Sequence, residues 1–213
     1  MSSFTEYQVK EVFEILRINQ KVWSKLDENV EDREIYRDTT IHDWRITNDL
    51  VEWSDLYKVE NDLFNLTLTK EDWFKAILPE KKKTVWELCE FIAQHAKKEV
   101  VKPIKVFGIE CLSASIFRAL KRDLLARGLE VKNLRPSSPL SDFTDFQTFP
   151  KLVAEISKRG VSISDSVKLK HKKGLSFFQR NNIFNPDRFY IDTGSLRTFR
   201  DLTQRILEVT KAA

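Results

Sequence analysis

Apolar residues recur at near-helical spacing from the start of the chain: Val9, Val12, Phe13, Leu16, Val22, Trp23 and Leu26 predict a first helix. Ser3 and Glu6 stand three apart ahead of it, as a capping box requires. Residues 27–38 are acidic and poor in large apolar side chains, which predicts a loop. A second helix is expected from Asp43 to Glu60, with Leu50, Trp53 and Leu56 or Tyr57 on one face. Phe64, Leu66 and Leu68 then alternate in a short connection. Thr69 caps a short helix bearing Trp73, Ile77 and Leu78, which ends at Pro79. Thr84 and Glu87 form the clearest capping box in the chain, and the helix they open carries Val85, Leu88, Cys89, Phe91, Ile92 and Ala96.

Past residue 100 the pattern changes. Val100, Val101, Ile104, Val106 and Phe107 are β-branched or aromatic and run up to Gly108, which predicts a strand. Ser113 opens a helix bearing Ile116, Phe117, Leu120, Leu124 and Leu125, closed by Arg127 and Gly128. Leu129, Val131 and Leu134 suggest a second strand, so a βαβ unit is expected. A further helix runs from Phe149 to Arg159, Phe189 to Ile191 reads as a strand, and a last helix starts near Ser195. The fold class is α+β and helix-rich: an N-terminal four-helix module over residues 1–99, then a small α/β module over residues 100–213.

Charge and glycine sharpen that division. Residues 1–80 carry 10 Lys and Arg against 18 Asp and Glu, a net of −8, while residues 81–213 have a net of +12. All five glycines lie from Gly108 onward, so the front half has little means of making tight positive-φ turns. Aromatic residues include 15 Phe and 5 Trp, ample for a buried core. The chain contains no run of about 20 apolar residues, so no membrane association is expected. The first residues lack a basic region followed by an apolar one and do not read as a secretory signal. Cys89 and Cys111, far apart and outside any CxxC spacing, predict a reducing, cytoplasmic setting without a disulfide framework.

The order of elements over residues 5–97 resembles the acyl carrier protein fold. Lys58-Val59-Glu60-Asn61-Asp62-Leu63-Phe64-Asn65-Leu66-Thr67-Leu68 is similar to the end of that family's second helix and its following turn. Thr84-Val85-Trp86-Glu87-Leu88-Cys89-Glu90-Phe91-Ile92 is similar to the start of its last helix. Carrier proteins attach phosphopantetheine to the serine of an Asp-Ser-Leu motif; the matching region here is Thr47-Asn48-Asp49-Leu50-Val51, with no serine. The resemblance therefore implies a fold without the prosthetic group.

Chemical motifs are sparse. No phosphate-cradling glycine loop and no HExxH spacing occurs, so neither cofactor nor metal is expected. Asp192-Thr193-Gly194-Ser195 is how an aspartic protease presents its carboxylate, but only one predicted helix follows, so a strand turning into a helix is the better reading. The split charge points to a non-catalytic interaction or scaffold protein with a protein partner. The first alternative is a small-molecule binder or enzyme, with Glu110, Cys111, Ser113 and Arg135 near the strand end at Gly108, where open α/β sheets bind ligands. The second alternative is nucleic-acid binding over residues 168–180, through Lys168, Lys170, Lys172, Lys173 and Arg180, with Phe177 and Phe178 nearby. Without a recognised nucleic-acid module, that run is better read as a solvated loop. Whether the chain is an enzyme is left undecided by its sequence.

Overall fold

A computed structural model of the chain describes residues 3–27, 32–48, 52–145, 147–171 and 189–212. The fold is α+β and helix-rich, with eight α-helices and three two-stranded antiparallel ribbons among those residues. The front half holds β1 (Ser3–Glu6), α1 (Val9–Trp23), α2 (Ile41–Thr47), α3 (Trp53–Phe64), α4 (Lys70–Ile77) and α5 (Val85–His95). The back half holds β2 (Lys97–Val100), β3 (Ile104–Val106), β4 (Ile109–Cys111), α6 (Leu112–Ala126), α7 (Phe149–Ser157), β5 (Lys168–His171), β6 (Phe189–Asp192) and α8 (Phe199–Ala212).

Local capping chemistry accounts for several of these boundaries. The Thr69 and Thr84 hydroxyls accept from the amides of Asp72 and Glu87, and both carboxylates return the bond to the cap amide. Several expectations fail for identifiable reasons. Ser3 does not cap α1: Ser3–Glu6 pairs antiparallel with Lys97–Val100, and the capping box is Gln8 with Glu11. The segment expected as one helix from Asp43 to Glu60 contains two, because Asn48 leaves helical geometry and its side chain donates to the Trp44 carbonyl at 2.7 Å. The strand expected up to Gly108 is split at Pro103, which has no amide to contribute to a ladder, into β2 and β3. The βαβ unit does not form. Leu129, Val131 and Leu134 are buried without a ladder, after a C-cap in which Gly128 at φ +78 turns the chain and Leu129 donates back to Leu124. The last helix begins at Phe199 rather than Ser195, and its first amides donate to the carbonyls of Ser138 and Pro136.

Two buried clusters carry the packing. One gathers Phe13, Leu16, Trp44, Leu56, Trp73, Leu88 and Ile92 from the helical front. The other gathers Leu120, Leu124, Phe149, Ile156, Phe199 and Leu202 from the back. Helix α1 serves both: Val12, Phe13, Ile15 and Leu16 lie in the first cluster, and Val22 in the second. The β1–β2 ribbon lies alongside this seam.

Candidate functional site

The predicted ligand cluster is only partly assembled. Gly108 does not end a strand of an open parallel sheet; it is the second residue of the turn joining β3 to β4. Cys111 is the N-terminal cap of α6, and its Sγ lies 3.2 Å from the Ser113 hydroxyl. The Ser113 hydroxyl and the amides of Ala114 and Ser113 hold the thiol below its ordinary pKa. Glu110 is exposed and faces Lys105 across the ribbon. Arg135 lies on the loop after α6, where its amide donates to the Ser138 hydroxyl; among the described residues no hydrogen bond or ion pair joins it to Glu110, Cys111 or Ser113. A topological switch point is therefore missing as a reason for a site here.

The basic run begins as a strand rather than a loop. Lys168 and Lys170 are placed on one face of β5, and Lys170 pairs with Asp192 on β6. Lys172, Lys173, Phe177, Phe178 and Arg180 lie outside the described residues, as do Asp49, Leu50 and Val51 of the carrier-like motif. Asp192 is a turn residue: its carboxylate accepts from the Gly194 amide at 3.0 Å. Gly194 sits at φ +56 with the Ser166 carbonyl 2.6 Å from where a Cβ would stand, so this position excludes a side chain. No group of three His, Cys, Asp or Glu among the described residues is placed to hold a metal ion. No described helix is long and apolar enough to cross a membrane.

Sequence reasoning missed two features. The first is the tip of the β3–β4 hairpin. Val106 and Ile109 are paired across a two-residue turn, Phe107-Gly108, with φ of +50 and +83. Both values belong to a type I′ turn, where Asn-Gly is the favoured pair. Phe107 is fully exposed, and Val106 and Ile109 beside it are also exposed. A bulky aromatic in the left-handed region is an outlier that local energetics do not explain.

The second feature is a cleft of about 550 Å³ on the seam between the two clusters. Its walls come from the β1–β2 ribbon, the end of α3, α6, the end of α7 and α8. Five cationic side chains line it (Lys97, Lys98, Arg122, Lys158 and Arg159), against the two carboxylates of Glu99 and Asp123. Beneath it lies an ion-pair network centred on Glu155, which is 1% exposed. Glu155 accepts from Arg127 Nε at 2.6 Å, Lys158 Nζ at 2.9 Å and Arg159 at 2.9 Å. Burial alone would raise its pKa, yet the Lys158 and Arg159 charges overcome burial and hold it at about 2. Arg159 also reaches Asp123 at 2.5 Å, and Arg127 pairs with Asp62 at the end of α3. Only tertiary packing brings these residues together, so no local motif announces them.

Comparison with known proteins finds no matching family, no similar protein sequence and no similar solved structure. Fold and surface together make this an α+β, helix-rich chain with a protruding apolar hairpin and a seam cleft.

Proposed function

We propose that the protein is a non-catalytic interaction module that docks on a partner protein through the β3–β4 hairpin. The exposed apolar tip, Val106-Phe107-Gly108-Ile109, carries this reading. Burying Phe107 in a partner's pocket offsets the strain of its backbone, and exposed aromatics of this kind are common anchors in interfaces. The tip itself is uncharged, and Lys105 opposite Glu110 leaves its base neutral, which favours an apolar protein pocket over an anionic surface. A carrier-like helical module without the attachment serine would present a surface rather than a prosthetic group.

Phe107→Asn tests this, because Asn-Gly suits the turn while removing the anchor. The expected result is loss of the partner captured by the unaltered protein, with the melting temperature unchanged or raised. Capture of the same partner by the variant would sink the proposal.

A further inference from the structure

We propose that the seam cleft binds a molecule with an apolar chain ending in a single anionic group, held by Tyr7 and Lys158 beside the Arg159 charge. The argument begins with unused donors. An ammonium carries three N–H groups; Lys158 gives one to Glu155, and among the described residues the others have no partner. Its side chain is only 11% exposed, so those donors face the cleft rather than open solvent. Tyr7 also lines the cleft and is 9% exposed, and no described group hydrogen-bonds its hydroxyl. Burial pushes the Tyr7 hydroxyl up to about 12, with the Arg159 charge the strongest opposing influence, so the phenol stays a donor and stands near Arg159.

A polar anchor without its acceptor is thus built at one part of the cleft. Val100, Val101, Ile116, Ile206 and Val209 supply apolar wall elsewhere. Lys98 is paired with Glu11, and Arg122 and Arg159 with carboxylates of their own, so the unused donors of Lys158 and Tyr7 select an anionic head, and the wall selects an apolar body. The volume lies within the range of small-ligand sites. A ligand of this kind would leave Glu155 in place, since that carboxylate already has Arg127 and Arg159 as partners.

Calorimetric titration with decanoate, decyl phosphate and neutral decanol tests the assignment on the whole chain. Saturable one-to-one binding of at least one anion is expected, with decanol at least about tenfold weaker, the scale of a charge-assisted hydrogen bond. Decanoate alone would identify a carboxylate head, and decyl phosphate alone a phosphate head; either supports the proposal. Tyr7→Phe is expected to weaken the bound anion about tenfold, and Val209→Trp, at the half-buried rim, to abolish binding while the circular dichroism stays unchanged. Failure of both anions to bind, equal binding of decanol, or binding indifferent to both substitutions overturns it.

Discussion

Glu60, on α3, is 3% exposed, and its Oε2 has no hydrogen-bond partner among the described residues. Burial pushes its pKa up to about 8 from an ordinary 4.5. Between those values the folded chain keeps a proton that the unfolded chain has released. Its stability contribution is therefore complete below pH 4.5 and is lost as pH rises to 8, by about 5 kcal/mol at most. Glu60→Gln should match the unaltered protein at pH 4.5 and melt several degrees higher at pH 8. Parallel stability profiles for the two proteins would refute this. In the sequence, Glu60 is one acid among many in an acidic half. Its burial beside Cys89, whose thiol is pushed up by burial first and by Glu60 second, depends on how α3 meets α5.

Among the secondary-structure elements, legibility follows the range of the interaction. Thr69 and Thr84 satisfy amides three residues away, so their role is visible in the pattern itself. Thr84→Ala should lower stability by about 1 kcal/mol, measured by urea unfolding, with Thr69→Ala similar. No change in either variant would mean that tertiary contacts alone hold these helix starts. Ser3 carries the same local signature but forms a strand, because Lys97–Val100 offers it a ladder from across the chain. The apolar residues Leu129, Val131 and Leu134 likewise signal burial without strand pairing, since no described strand meets that segment.

Across the molecule, the seam is the deciding feature. Glu155 pairs with Arg127, Lys158 and Arg159 on the back half, and Arg127 pairs with Asp62 of the front half. Removing its charge takes from Lys158 its described carboxylate and from Arg127 and Arg159 one of two, so Glu155→Gln should cost about 3–5 kcal/mol. The folded pKa of Glu155 lies below the ordinary 4.5, so its contribution is present above pH 4.5 and is lost as pH falls towards 2. This is the opposite sign to Glu60, and acid unfolding of the Glu155→Gln variant should show a shallower dependence in that window. An unaltered acid limb would rule out this role.

Periodicity and helix caps act over three or four residues. The helix-rich α+β class, most helix cores, two capping boxes and the uneven charge are therefore legible in the chain alone. Contacts across the fold settle the rest: Ser3–Glu6 is a strand, Phe107 stands exposed, and Tyr7, Lys158 and Arg159 share a cleft. Apart from the Phe107 turn, which closes within a few residues, those features arise between residues up to about 150 positions apart, for which a single chain pattern has no local signal.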